Sequence, residues 1–140
     1  MAFVVDASVA ASWAFRDEGH PVAAAALVRL GADQAQVPSL WWFEVRNTLL
    51  VNERRGRISE ADITAFLHDL RRLAIGFDYD PDETTVLMLA RRHKLTVYDA
   101  SYLELAMRLA GPLASLDREL CVAAAACGVP LFGEAEGMDR

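Results

Sequence analysis

Short apolar segments alternate with longer helix-forming segments along almost the whole chain. Their length and the turn residues around them are typical of buried strands. Strands that alternate with helices indicate βαβ units, in which helices cover both faces of a parallel sheet. The pattern therefore predicts an α/β fold. The predicted strands are 3–5, 35–38, 75–79, 95–98 and 113–116, with a short last one at 129–132.

The length of 140 residues is that of one domain, and such a domain folds without disulfides or a structural metal. We expect this domain to span residues 1–133 and the acidic residues 134–140 to form a disordered tail. Cys121 and Cys127 lie six positions apart in one predicted helix, so we expect free thiols in a reducing environment. Without a signal peptide or a membrane-spanning apolar run, the chain is expected in the cytoplasm, away from membranes.

Three predicted strands end in an aspartate, at Asp6, Asp99 and Asp117, each followed by a helix. Because ligands of open α/β sheets bind at the carboxyl ends of the strands, we expect these side chains to converge within a few ångströms. Clustered carboxylates repel one another unless a cation joins them, and oxygen ligands suit Mg²⁺ or Mn²⁺. The alternative is that each aspartate only caps the helix that follows it.

Glu44 is a fourth acidic candidate, in a strongly apolar predicted helix. It shares a stripe with Leu40, Asn47 and Val51 at helical spacing. A carboxylate on a core-facing stripe needs a partner, because a lone buried carboxylate is costly. The neighbouring Asn47 is a candidate to orient it. The alternatives are a salt bridge to a nearby arginine or simple exposure to solvent.

The order of these acids and their neighbours resembles a known family. The motifs are Asp6-x-Ser8, Glu44-x-x-Asn47, Asp99-Ala100-x-Tyr102-x-x-Leu105-Ala106 and Ser115-x-Asp117-x-x-Leu120. They resemble the PIN-domain nucleases and, more narrowly, the VapC-type toxins of type II toxin–antitoxin pairs. The resemblance covers residues 3–132 and implies a three-layer α/β/α sandwich with a mostly parallel central sheet. It also implies a metal-dependent endoribonuclease that acts as a homodimer and is inhibited by a cognate antitoxin protein.

Carried over residue by residue, the resemblance implies catalytic and metal-binding roles for four carboxylates. We call these the acidic quartet: Asp6, Glu44, Asp99 and Asp117. Ser8 and Ser115 match small hydroxyl positions that support the quartet, although the family often has threonine at the second. Asn47 matches a polar position that is frequent in the family.

Hydrolysis of a phosphodiester concentrates negative charge on the phosphoryl oxygens, and the quartet contains neither histidine nor lysine. Most of the chemistry therefore falls to the expected cofactor, Mg²⁺ or Mn²⁺. We expect Asp6 and Asp99 to be its primary ligands. Asp117 would hold a second ion or a water molecule, and Glu44 would hold a water molecule or orient the ion. Attack by hydroxide would leave a 5′-phosphate and a 3′-hydroxyl.

Four other side chains are candidates for contacts with RNA. Trp13 and Tyr102 are candidates for stacking on unpaired bases, and Arg91 and Arg92 for contacts with phosphates. Core packing is the alternative for Trp13, and a favourable position at a helix C-terminus is the alternative for the arginines. The net charge of −6 argues against binding through bulk positive charge. The quartet and the acidic tail account for all of that charge, which leaves a neutral body.

Other function classes stay open at this point. A PIN-like housekeeping nuclease would share the chemistry, and a non-catalytic RNA- or protein-binding module would follow if the acids do not converge. A phosphatase that forms an aspartyl phosphate needs a carboxylate two residues after the first aspartate, where this chain has Ser8. The strongly apolar segment 41–43 favours contact with an antitoxin or a dimer partner. DNA is expected only indirectly, through the antitoxin.

Overall fold

The computed structural model describes residues 1–15 and 19–132, in which four strands and seven helices form. The strands are β1 (Phe3–Val5), β2 (Ala35–Pro38), β3 (Ile75–Asp78) and β4 (Leu113–Ala114). The helices are α1 (Ala7–Ser12), α2 (Pro21–Arg29), α3 (Leu40–Arg54), α4 (Glu60–Leu70), α5 (Glu83–His93), α6 (Val97–Leu109) and α7 (Arg118–Ala126). Within these two ranges, no helix combines the length and the apolar character needed to cross a membrane. The expected tail, residues 134–140, lies outside the described residues.

The four strands form one parallel sheet in the order β3-β2-β1-β4. Strand β1 lies inside the sheet, and Phe3, Val4 and Val5 are completely buried. A parallel strand that is buried on both faces requires helices on both sides of the sheet. The predicted α/β fold, a three-layer α/β/α sandwich around a parallel central sheet, is confirmed.

The chain builds this sheet outwards from β1 in both directions. Strands β2 and β3 add on one side and β4 adds on the other, so the strand order reverses between β1 and β4. Such a switch point opens a crevice at the carboxyl ends of the strands. The register pairs Val5 with Ala114, and the Asp6 backbone N–H donates to the Ala114 carbonyl at 3.0 Å. Asp6 and Ser115, the residues that leave these two strands, therefore lie side by side at the crevice.

Helix α6 lies against three strands of the sheet and packs on α5 and α7. Residues 100–106 are all buried, so the middle of the helix is enclosed on every side. One of them is a charged residue, Glu104, which is 3% exposed and is paired with Arg108 at 2.8 Å. Arg108 also donates two hydrogen bonds, at 2.9 and 2.7 Å, to Asp78 at the end of β3. This ion-pair network, which the sequence patterns did not single out, fixes α6 to the edge strand.

The predicted strand at 95–98 is wrong. Helix α5 ends at His93 and is followed by Lys94, its C-cap, in a left-handed conformation with φ 55°. Helix α6 begins three residues after Lys94, at Val97. The Thr96 hydroxyl oxygen caps α6 by accepting from the backbone N–H of Asp99 at 3.1 Å. Asp99 therefore lies in the first turn of a helix rather than at the end of a strand. An apolar run of four residues does not distinguish a strand from the first turn of a buried helix.

Three other predicted strands also differ in extent from the prediction. Strand β3 ends at Asp78, one residue before the predicted end at 79. Strand β4 has two residues instead of the four predicted at 113–116. The segment 129–132 contributes a single parallel bridge to the sheet, between Leu131 and Leu113.

Candidate active site

Asp6 follows β1 and begins α1, and its residue is only 4% exposed. One carboxylate oxygen, Oδ1, accepts from the Ser8 hydroxyl at 2.6 Å and from the Val9 backbone N–H at 3.0 Å. The other oxygen, Oδ2, accepts from the Ser115 hydroxyl. Asp6 is therefore a helix cap, as the simpler alternative held, and also a carboxylate held by donors from two separate parts of the chain.

The backbone fixes the direction of both serine hydroxyls. The Ser8 oxygen accepts from the Leu116 backbone N–H at 3.1 Å, and the Ser115 oxygen accepts from the Asp117 backbone N–H at 3.0 Å. Each hydroxyl has a single proton, and in both cases that proton is directed at Asp6. The two serines thus orient the Asp6 carboxylate and tie it to the loop between β4 and α7.

Among residues 1–15 and 19–132, no cation forms an ion pair with Asp6. Burial raises the pKa of Asp6 to about 6, against the effect of its three hydrogen bonds, and the charge of Asp99 adds to the rise. A buried carboxylate with a raised pKa in a crevice is typical of a functional site.

Asp99 links the members of the quartet electrostatically. It is half-buried in the first turn of α6, and its pKa is raised first by burial and then by the charges of Asp117 and Glu119. The charge of Asp99 in turn raises the pKa of Asp6 and of Glu44. The four carboxylates therefore lie in one electrostatic field. Glu119, which the sequence motifs did not include, contributes to the same field from the first turn of α7.

Tyr102 holds Glu44. The tyrosine hydroxyl donates to Glu44 Oε1 at 2.6 Å, and Tyr102 is 1% exposed. Tyr102 is thus not available to stack on RNA bases, which corrects that prediction. Asn47 is exposed, and the described hydrogen bonds do not join it to Glu44, so the expected orienting partner is replaced by Tyr102. The core-facing stripe of α3 is formed by other residues: Trp41, Val45, Leu49 and Asn52.

By its chemistry the quartet suits a hard divalent cation, because it offers only carboxylate oxygens and Asp6 has no cationic partner among the described residues. Its geometry is more open than the sequence predicted. Within the described ranges, no three His, Cys, Asp or Glu side chains stand close enough together to hold a metal ion. The acids are within electrostatic range of one another rather than in ligating contact. For the quartet to bind a metal ion, the half-buried Glu44, Asp99 or Asp117 would have to change rotamer, or water molecules would have to bridge the carboxylates and the ion.

The remaining predicted RNA contacts lie apart from the quartet's hydrogen bonds. The Trp13 indole N–H donates to the Ala23 carbonyl at 2.8 Å, and the ring packs against the core beside a cavity of about 600 Å³. This placement favours the core-packing alternative. Arg91 and Arg92 are exposed in the last turn of α5, where positive charge is favourable beside the helix C-terminus.

Known proteins resemble this chain over most of its length. The family model described as PIN domain matches residues 3–126. Ribonuclease VapC3 from Pyrobaculum aerophilum is 33% identical over 124 residues, which cover 86% of this chain and 92% of that protein. The crystal structure of PAE2754 from Pyrobaculum aerophilum has the same fold, with a TM-score of 0.73 and 24% identity over 96% of this chain and 92% of that chain. The resemblance carried by the four motifs is confirmed, and this chain belongs to the PIN-domain family, with its VapC-type members as relatives.

Proposed function

We propose that this chain is a metal-dependent endoribonuclease and the toxin of a type II toxin–antitoxin pair. It hydrolyses RNA phosphodiesters and leaves a 5′-phosphate and a 3′-hydroxyl. The observation that carries the proposal is the buried Asp6, which has no ion-pair partner in the described part of the chain and shares one electrostatic field with three other carboxylates at the switch point of the sheet. Membership of the PIN-domain family and similarity to a protein named ribonuclease VapC3 support RNA as the substrate and the toxin role.

In this proposal, Asp6 and Asp99 are the primary ligands for Mg²⁺ or Mn²⁺. Asp117 holds a second ion or a water molecule, and Glu44 orients the ion. When bound, the divalent ion stabilises negative charge on the phosphoryl oxygens and lowers the pKa of water. Ser8 and Ser115 keep the Asp6 carboxylate in one orientation, because the backbone leaves each hydroxyl proton directed at it. The ligating side chain is therefore ordered before any ion arrives.

The proposed partners are an RNA substrate, a cognate antitoxin and a second copy of the chain. Helix α3 exposes an apolar strip formed by Trp42, Phe43 and Leu50, which offers the surface that such protein partners need. DNA enters only through the antitoxin. We place the activity in the cytoplasm, where Cys121 and Cys127, which form no disulfide, would stay reduced.

Cleavage of RNA by the purified protein tests this proposal. We expect cleavage with Mn²⁺ or Mg²⁺, none after addition of EDTA, and 5′-phosphate ends that can be ligated directly. Asp6→Asn and Asp99→Asn should each slow cleavage by more than about 100-fold, because loss of a ligand costs more than the 10–100-fold typical of residues that only support ligands. Asp69→Asn, the same change at an exposed position of α4, should cleave at the wild-type rate.

Four outcomes would contradict this function. Cleavage that continues in EDTA, or full activity of both quartet variants at saturating metal, would exclude the metal centre. Products that end in 2′,3′-cyclic phosphates would indicate attack by the ribose hydroxyl. RNA binding without cleavage would favour the non-catalytic binding module. Growth arrest on expression, relieved by the product of a neighbouring small gene, would distinguish the toxin from a housekeeping nuclease.

A further inference from the structure

The Tyr102 hydroxyl joins two elements of the candidate active site. It projects from α6 and donates to Glu44 Oε1 on α3 at 2.6 Å. Within the described residues, this is the only side-chain hydrogen bond that Glu44 makes. The backbone N–H of Ala7, the residue after Asp6, acts to lower the pKa of the Tyr102 hydroxyl, against the larger effect of burial. One buried hydroxyl thus joins α6 to the helix that carries Glu44.

Helix α6 carries Asp99 as well as Tyr102. The two residues are three positions apart, so their side chains are neighbours on the helix surface. Residues 100–106 are buried, which leaves α6 little freedom to rotate. The position of Tyr102 is therefore coupled to the position of Asp99.

Two effects favour movement of the Glu44 side chain away from this position. It is half-buried, and the charge of Asp99 acts on it as a like charge. Repulsion between two carboxylates and the partial access to solvent both favour rotation of the Glu44 side chain outwards. The hydrogen bond from Tyr102 opposes that rotation, because it is short and its acceptor is a charged group.

We propose that Tyr102 is a positioning residue of the metal centre, whose hydroxyl keeps the Glu44 carboxylate beside Asp99. Tyr102 touches neither the ion nor the RNA and acts through Glu44. This inference rests on the proposed function. In a merely structural role, by contrast, Glu44 would serve only as the hydrogen-bond acceptor of a buried hydroxyl, and Tyr102 would not position Glu44 for the metal ion.

A double-mutant cycle on metal affinity separates these two roles. The variants are Tyr102→Phe, which keeps the ring and removes the hydroxyl, Glu44→Gln, and the two combined. The Mn²⁺ dissociation constant of each is measured by calorimetry without RNA, and kcat and KM are measured with a fluorogenic RNA at saturating Mn²⁺. Thermal unfolding establishes that each variant is folded. Ser101→Ala is the matched control, because it removes another buried hydroxyl of α6, one that donates to the Val97 carbonyl.

We expect Tyr102→Phe to weaken Mn²⁺ binding roughly 10-fold, as is typical when a group that supports a ligand is lost. It should lower kcat and leave the KM for RNA unchanged. In the Glu44→Gln background the same change should have no further effect, because the two residues act as one unit. Ser101→Ala should bind Mn²⁺ like the wild type. If Tyr102→Phe does not unfold cooperatively, Glu44→Asp, which withdraws the carboxylate from Tyr102, should show the same weakening.

The positioning role is overturned if Tyr102→Phe binds Mn²⁺ with wild-type affinity. It is also overturned if the 10-fold loss persists in the Glu44→Gln background, since Tyr102 would then act independently of Glu44. In both cases the wild type still binds Mn²⁺ and cleaves RNA, so the proposed function stands. A wild type that neither binds Mn²⁺ nor cleaves RNA would overturn the proposed function and this inference together.

Discussion

Replacing Asp6 by asparagine should make the metal-free protein more stable at neutral pH. The pKa of Asp6 is about 6 in the folded protein, against an ordinary value of 3.8. At about 1.4 kcal/mol per pH unit, keeping this carboxylate charged and buried costs the folded state about 3 kcal/mol. Asparagine removes the charge but leaves a serine hydroxyl with a poorer acceptor, which costs about 1 kcal/mol. The expected net gain is about 2 kcal/mol, or about 7 °C in Tm for a chain of this length.

The pH dependence of this gain has a definite sign. Between pH 3.8 and about 6 the folded protein binds more protons at Asp6 than the unfolded chain does. As far as Asp6 determines it, the free energy of unfolding of the wild-type protein is therefore highest in acid and falls as the pH rises through this window. Asparagine does not titrate, so the advantage of Asp6→Asn is absent below about pH 4, grows through the window, and is complete above about pH 6.

Urea denaturation in EDTA, followed by circular dichroism from about pH 4 to pH 8, measures this difference. Asp78→Asn is the matched control with the opposite sign. Arg108 holds the pKa of Asp78 below its ordinary value, so this variant should lose stability at neutral pH, and the loss should fade in acid. A difference between wild type and Asp6→Asn that stays constant with pH would refute the reasoning. So would a variant less stable than the wild type at every pH.

Two further substitutions test contacts that position the site. Arg108→Ala leaves Glu104 buried without its cation and should lower the free energy of unfolding, measured with urea, by about 2 kcal/mol. This loss is smaller than for breaking a fully buried ion pair, because the Arg108 side chain is 35% exposed. An unchanged denaturation midpoint would show that Glu104 finds another partner. Gly111→Ala would place a Cβ atom 2.3 Å from the Ala2 carbonyl oxygen and should cost about 2 kcal/mol, because the backbone must shift. Gly128→Ala is the control, because Gly128 has φ 74° and open space around it, so that this change should cost only about 1 kcal/mol of backbone strain. Equal losses of Tm in the two variants would contradict the predicted clash between residue 111 and the Ala2 carbonyl oxygen.

Much of the fold could be predicted because its signals are local. The apolar runs at 3–5 and 35–38 and the helix caps at Asp6 and Asp117 all depend on neighbours within a few positions. The prediction failed at 95–98, where the first turn of α6 is as apolar as a strand. That turn is not part of the core, since Val97 is 50% exposed and Tyr98 is 59% exposed. Its apolar residues therefore do not show whether a strand or a helix forms.

The sequence by itself determined the fold class, the family and the order of the four acids, because motif spacing and periodicity are written along the chain. Only the tertiary structure decided what each acid touches. Ser115 and Asp6 are 109 residues apart, and Tyr102 and Glu44 are 58 apart. The first pair meets because β1 and β4 are in register at the switch point. The second meets because α6 packs on the sheet with Tyr102 buried and within hydrogen-bond distance of Glu44 on α3. Neither pairing follows from local pattern, since strand register and helix packing depend on how the whole core is filled.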